Sequence, residues 1–269
     1  MSKFHLEGSS VLITGASAGI GREFARQLAG RASSLVLVAR RRERQEELRD
    51  ELTKANPNLN VHIRETDLSD DRAVIELFDS LERENLSIDL LINNAGLGDL
   101  GPFATSELQR VKEMLAVNVT ALTLLTRLLL PGMIARKRGA ILNVSSSAGF
   151  LPLAGFAVYA ATKAYVTSFS EAIRAELRGT GVTVTTLCPG PVHTEFAETA
   201  HRQVAGAPRT VPGISHVSAQ EVVRVGLAAV AADRALAIPG FVMKLGMALV
   251  RITPTSILRL AARPSSKQL

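Results

Sequence analysis

Apolar and polar positions along this chain fall into two alternating patterns. Short runs rich in Val, Ile and Leu recur near 10–14, 34–39, 60–64, 89–92, 139–145, 182–188 and 235–238, and they read as strands. Between them, near 19–30, 42–55, 70–84, 106–132, 153–179 and 218–232, apolar positions return at helical spacing. The strand runs carry little polar alternation. Leu35-Val36-Leu37-Val38-Ala39 is the plainest case, and it has the pattern of a strand covered on both faces. Regular strand–helix alternation predicts an α/β fold: a doubly wound, seven-stranded parallel sheet with helices on both faces. Residues 1–238 read as a single domain. Residues 239–269 depart from the pattern and read as a C-terminal amphipathic helical extension, not an independent domain. There Phe241, Leu245, Ala248, Leu249 and Ile252 recur at helical spacing among Lys244, Arg251, Arg259 and Arg263, and Pro254 is expected to split two helices.

Ligands of such sheets bind beyond the C-terminal ends of the strands. The first strand runs into Gly15-Ala-Ser17-Ala-Gly19-Ile20-Gly21, followed by a helical pattern. Strand, glycine turn and helix make a dinucleotide phosphate site, because glycines admit the pyrophosphate and the helix N-terminus offers N–H groups and a positive dipole. Alone, such a turn also serves purely structural ends. The second strand ends at Arg40 and Arg41, where an acid would accept the ribose 2′-hydroxyl of NAD and repel the 2′-phosphate of NADP. Guanidinium groups pair with phosphate instead, which assigns NADP(H), with Arg40 as leading contact and Arg41 second. A solvated charge run is the plainer alternative, and Arg44 is expected on the surface.

Tyr159 and Lys163 stand four residues apart on one helix face, with Ser146 upstream. A phenol of ordinary pKa about 10 is a poor acid near neutrality. An ammonium on the same face is expected to lower that pKa, and a serine hydroxyl to hold the oxygen exchanging the proton. The trio reads as proton transfer to or from a carbonyl or alcohol oxygen.

These segments, with Asp67-Leu68, Asn93-Asn94-Ala95-Gly96, Asn118, Ser145-Ser146 and Pro189-Gly190, stand in the order and spacing of the short-chain dehydrogenase/reductase family, which the chain resembles over about residues 8–235 in its compact single-domain, Rossmann-type form. The resemblance implies Tyr159 as general acid in reduction and base in oxidation. Lys163 would bond the nicotinamide ribose, and Ser146, in competition with Ser145 and Ser147, the substrate oxygen. Asn118 would interrupt its helix and position a proton-relaying water, or simply cap it. Asp67 would meet the adenine with Leu68 beside it, unless Asp67 caps the third helix. Asn94, Ala95 and Gly96 would line the ribose, Pro189 and Gly190 would join the cofactor site, and Val192 and Thr194 would hold the carboxamide. Asn93 reads as sheet-end capping. A homodimer or homotetramer is the family expectation, with Ala154, Ala157, Ala160, Ala161, Ala164 and Ala172 permitting close helix packing.

Leu97, Leu100, Phe103, Phe150, Leu151, Leu153, Phe156 and Phe196 are candidate pocket walls, so a hydrophobic ketone, aldehyde or secondary alcohol is the expected small-molecule substrate. Residues 194–216 suggest a lid, with His193, His201 and His216 as polar loop residues. The net charge is +6 over 269 residues, yet aromatics are not interleaved with the basic clusters, which argues against nucleic acid. The histidines show no metal-ligand spacing, so no metal is expected. One cysteine, Cys188, excludes an intrachain disulfide and reads as a buried small hydrophobe. No run reaches a membrane span's roughly 18 apolar residues, and no signal-peptide core is evident. The expected location is cytoplasmic, with peripheral membrane contact through 239–269 as a further option. The reading is an NADP(H)-dependent oxidoreductase; the alternatives are a catalytically idle NADP-binding sensor or scaffold, or a peripheral membrane protein.

Overall fold

The structure, a computed structural model, describes residues 4–200, 217–254 and 256–257. Seven parallel strands form one sheet in the order β3-β2-β1-β4-β5-β6-β7. They are β1 (Ser10–Thr14), β2 (Ser34–Ala39), β3 (Asn60–Glu65), β4 (Leu90–Asn93), β5 (Gly139–Val144), β6 (Val182–Leu187) and β7 (Leu236–Ala237). The helices are α1 (Gly19–Leu28), α2 (Arg42–Ala55), α3 (Asp71–Arg83), α4 (Leu108–Leu115), α5 (Leu122–Ala135), α6 (Ala157–Glu176), α7 (Glu195–Ala200), α8 (Ala219–Ala231) and α9 (Phe241–Ile252).

Strand side chains divide between two cores by simple alternation. Val11, Ile13, Leu35 and Leu37 face Phe24 and Leu28 of α1, Leu48 of α2 and Val223 of α8. Leu12, Val36, Val38 and Leu91 face the other way, against Val74 and Leu77 of α3, Leu125 and Leu129 of α5 and Ile173 of α6. A residue such as Leu12 or Leu35 is wholly buried, and each burial contributes on the order of 1.5–3 kcal/mol. Because the chain crosses from β3 to β4 on the far side of β1, the strand order reverses between β1 and β4. That reversal opens a crevice at the strands' C-terminal edge.

The expected helix over 106–132 is α4 and α5 joined by a π-helical turn, Ala116–Ala121. By length and composition this 28-residue stretch would also cross a membrane. Here Leu125, Leu129 and Met133 pack it into the second core. A short helix, α7, opens the segment read as a loop over 194–216; residues 201–216, with His201 and His216, lie outside the described residues. The helix expected beyond Pro254 is likewise outside them except at 256–257.

Candidate active site

At the strand reversal, Thr14 is a hub. Its hydroxyl accepts from the Asn94 N–H (2.9 Å) and the Ala95 N–H (3.0 Å), and its carbonyl accepts from Asn94 Nδ2 (2.9 Å). Asn94 so locks the end of β4 onto the glycine turn. Gly21 permits this closure: a Cβ there would stand 2.2 Å from the Gly15 carbonyl oxygen and 2.6 Å from Asn94 Nδ2. The α1 N-terminus has no side-chain cap and no acid in its first turn, so its N–H groups are open to an anion. Asn93 instead bridges Asn143 (2.9 Å) and Thr126 (3.2 Å) inside the core, as the sheet-end reading expects.

The two arginines after β2 are both exposed but touch different groups. Arg41 reaches Ser17 Oγ at 3.1 Å, inside the glycine turn, whereas Arg40 lies near Asp67. Arg41 also pairs with Glu195 (2.9 Å), which Arg44 contacts from its other side, so Arg44 is bound into the site's rim. Those two hydrogen bonds hold the Glu195 carboxyl below its usual range. Asp67 accepts from the Ser69 N–H (2.9 Å) and hydroxyl (2.7 Å), while Asp70 caps α3. Leu68 turns its side chain into the second core, so only its backbone faces outward. Thr194 sits over Gly19, with its Cβ 3.2 Å from where a side chain there would begin; Val192 packs on the first core.

Ser146, Tyr159 and Lys163 come together where β5 ends against α6. The turn Ser147–Phe150 approaches α6 so closely that a Cβ at Gly149 would lie 2.7 Å from the Lys163 carbonyl carbon. Ser146 Oγ accepts the Ala148 N–H (3.1 Å) and lies near enough to Tyr159 to favour its ionised form, whereas Ser145 donates to the Lys163 carbonyl (2.7 Å), which leaves Ser145 a structural role. Lys163 Nζ donates to the Val144 carbonyl (2.9 Å) and lies 5.7 Å from the Tyr159 ring centroid. Asn118, in the π turn, clasps Leu97: its Oδ1 accepts the Leu97 N–H (2.8 Å) and its Nδ2 donates to the Leu97 carbonyl (2.9 Å). Nδ2 also reaches Thr162 Oγ1 (3.0 Å). Asn118 Oδ1 and Lys163 Nζ border the same space over Gly96, 3.5 and 3.4 Å from a Cβ placed there. Pro189 accepts from the Ser147 N–H (2.9 Å), which ties the segment after β6 to the same turn.

The expectation that Lys163 acidifies Tyr159 is not met. Burial pushes the phenol up to about 12, against the lowering effect of Ser146, and burial pushes Lys163 down to about 8. The reason is the apolar box around the ring. Phe156 stacks on Tyr159 at 4.3 Å between centroids and Phe196 tilts against it at 5.4 Å. Leu97, Leu153 and Met114 complete this cluster. Of the other expected walls, Phe103 is 63% exposed, and Leu100, Phe150 and Leu151 are not part of it. Cys188 is buried, with its thiol pushed up to about 11 by burial, as a non-nucleophilic core residue would be. Among the described residues no cluster suited to a metal ion is present.

Sequence reasoning missed Glu195, Met114, Thr14, Thr162 and Gly149. Gly149, three residues after Ser146, was the available signal for the close approach to α6.

A family model described as short chain dehydrogenase matches residues 9–205. The NADP-dependent 3-hydroxy acid dehydrogenase YdfG of Escherichia coli (strain K12) is 40% identical over 189 residues, covering 70% of this chain and 74% of that protein. A short-chain dehydrogenase from Sphingobium yanoikuyae, solved with NADPH, superposes with TM-score 0.81 at 30% identity, covering 97% of this chain and 98% of that one. The bulky-bulky ketone specific alcohol dehydrogenase from Comamonas testosteroni superposes with TM-score 0.76 at 28% identity, covering 97% and 96%.

Proposed function

The chain belongs to the short-chain dehydrogenase/reductase family, and from that premise we propose that it is an NADPH-dependent reductase of bulky, uncharged ketones and aldehydes, with Tyr159 as proton donor. It is an NADP-dependent oxidoreductase of the Rossmann type. The open α1 N-terminus and the tight glycine turn fit a pyrophosphate, and Arg41, supported by Arg40, fits the 2′-phosphate. Asn94, Ala95, Gly96 and Lys163 would line the nicotinamide ribose, and Val192 and Thr194 the carboxamide. When bound, the dinucleotide supplies the hydride for the carbonyl carbon.

The remaining chemistry is that of this chain's own side chains. Ser146 holds the carbonyl oxygen, and Tyr159 Oη delivers a proton to it. A phenol pushed up to about 12 is held protonated, which suits it to reduction. Lys163, at about 8, exchanges protons near neutral pH and is placed to restore the phenol. Asn118 keeps the Leu97 backbone aligned beside Lys163. Residues 1–238 act as the catalytic domain.

The observation that carries the substrate class is the aromatic box. Phe156, Phe196, Leu97, Leu153 and Met114 surround Tyr159, and the nearby Arg110 guanidinium is engaged by the Gly98 (2.8 Å) and Thr199 (3.3 Å) carbonyls. The side chains lining the box are apolar, which favours a bulky uncharged group over a carboxylate. The bulky-ketone activity of the Comamonas relative agrees with this reading better than the 3-hydroxy acid activity of YdfG does. The test is NADPH oxidation with aryl ketones and with short 3-oxo acids. Wild type should favour the ketones in kcat/KM by tenfold or more, and Tyr159→Phe should lower turnover by roughly 10²–10⁴-fold. Preference for the acids would overturn the substrate class, and full turnover by Tyr159→Phe would overturn the proton donor.

A further inference from the structure

Charge is distributed unevenly between the two ends of this chain. It has 31 basic and 25 acidic side chains, and no acidic residue follows Asp233, whereas Arg234, Lys244, Arg251, Arg259, Arg263 and Lys267 do. Residues 1–233 therefore hold 25 of each sign, and the whole formal charge of +6 belongs to residues 234–269.

Within that segment α9 is two-faced. Its inner side packs on the turn Ser147–Phe150 beside the reaction site, with Met247 buried and Met243 laid over Gly190, where a Cβ would stand 2.6 Å from Met243 Cε. Its outer side is apolar and uncovered: Phe241, Val242, Leu245, Leu249 and Ile252 are each between 62% and 82% exposed. At about 100° per residue these five fall in one sector of roughly 100°, and Lys244 lies about 60° outside it. Ile257, past Pro254, is exposed as well. Isolated exposed apolar residues are ordinary, but five on one helix face form a patch that marks an interaction site.

Charge decides what covers it. A second copy meeting this face through a two-fold axis would set one basic segment against another, which is unfavourable. An anionic bilayer surface buries the apolar sector and attracts the net positive charge carried by residues 234–269. We propose that α9 lies in the surface of an anionic membrane, outer face down, and holds the catalytic domain there with the 147–150 turn beside the contact. The inference stands on α9's exposure and on charge, independently of the reaction.

The test is flotation of the full chain with vesicles of equimolar phosphatidylcholine and phosphatidylserine, and with vesicles of phosphatidylcholine alone. Wild type should float with the anionic vesicles, remain behind with the neutral ones and be released by high salt. Phe241→Asp combined with Leu245→Asp should lower the bound fraction by tenfold or more, and Lys244→Glu by several-fold, while NADPH oxidation with a water-soluble ketone stays at the wild-type level. That activity control separates failure of this proposal from failure of the proposed reaction. Flotation that is absent, equal on both vesicle types or unchanged in the double variant would overturn it. So would wild type forming an oligomer that the double variant loses without any vesicle binding, which would make the face a contact between copies.

Discussion

Lys163 carries an amine into a site where burial opposes its charge, and that has a consequence for folding. Replacing Lys163 with Met keeps the side-chain length and removes the ammonium. Burial pushes this amine from 10.5 down to about 8, with the Val144 carbonyl at 2.9 Å as its hydrogen-bond acceptor. In the unfolded chain it titrates near 10.4. Below about pH 8 both states hold the proton, and the folded state bears the full cost of the buried charge. Between about pH 8 and pH 10 the unfolded chain binds the proton more tightly than the folded one, so this amine's contribution to stability rises with pH. A displacement of that size corresponds to about 3 kcal/mol. Lys163→Met escapes this cost but loses the hydrogen bond to Val144, worth about 1 kcal/mol. At pH 7 the variant should therefore be more stable than wild type by about 2 kcal/mol, although inactive. Urea unfolding of both cofactor-free proteins at pH 7 and at about pH 9.5 measures this, and staying below 10 avoids ionising the unfolded phenols. Taking the difference between the two proteins cancels the contribution of Tyr159, which burial pushes the other way, and leaves, besides Lys163 itself, only its coulombic coupling to Cys188. The wild-type deficit should shrink by most of its size across that interval. A variant several kcal/mol less stable at pH 7, with a difference that does not move with pH, would show that the ammonium is stabilised in the fold and refute the reasoning.

Three further outcomes are expected. Gly21→Ala, whose Cβ would collide with the Gly15 carbonyl, should raise the NADPH Kd more than tenfold and cost about 1–3 kcal/mol in stability. Gly30→Ala, facing open space, should change neither in fluorescence titration and thermal melting. Arg41→Ala should raise KM for NADPH tenfold or more and leave KM for NADH nearly unchanged, whereas a larger effect from Arg40→Ala would restore the ranking drawn from sequence. Glu195→Gln should lower KM for NADPH several-fold in low salt, because its carboxylate holds the guanidinium that the 2′-phosphate needs; the gain should fade with salt, since both partners are nearly half exposed.

Most of the sheet was legible because strands buried on both faces, such as β2, leave nearly unbroken apolar runs, whereas the half-exposed edge strand β3 was marked only by its β-branched Val61 and Ile63. All seven were located to within one or two residues. The expected site residues also gather, because strand C-terminal ends converge and the alternation of elements locates those ends. Two kinds of information were not legible. The sign of the effect on Tyr159 depends on how completely Phe156 and Phe196 close over its ring, and α7, which carries Phe196, did not stand out from its loop. That Arg41 and not Arg40 reaches Ser17 depends on alternate orientation of neighbouring residues where a strand ends and α2 begins. Pattern locates both arginines there without saying which one turns inward to Ser17.

The π turn explains how a cost of this kind is sustained. An ordinary helix through Ala116–Ala121 would advance at 3.6 residues per turn; the wider turn admits an extra residue, and such insertions recur at functional sites. Here it carries Asn118, buried, to the Leu97 backbone and to Thr162, whose hydroxyl donates to the Tyr159 carbonyl at 2.7 Å. The same asparagine oxygen borders the space that Lys163 enters. A polar side chain buried there without these partners would cost about 1–3 kcal/mol, so the widened turn and the satisfied asparagine depend on each other. Neither improves the packing of α5 on the sheet, which Leu125, Leu129 and Met133 already secure. What they fix is the backbone beside a buried amine whose charge burial opposes. On the proposed reaction, the burial of Lys163 and the geometry imposed at Asn118 converge on one proton-handling position, a combination that folding alone does not require.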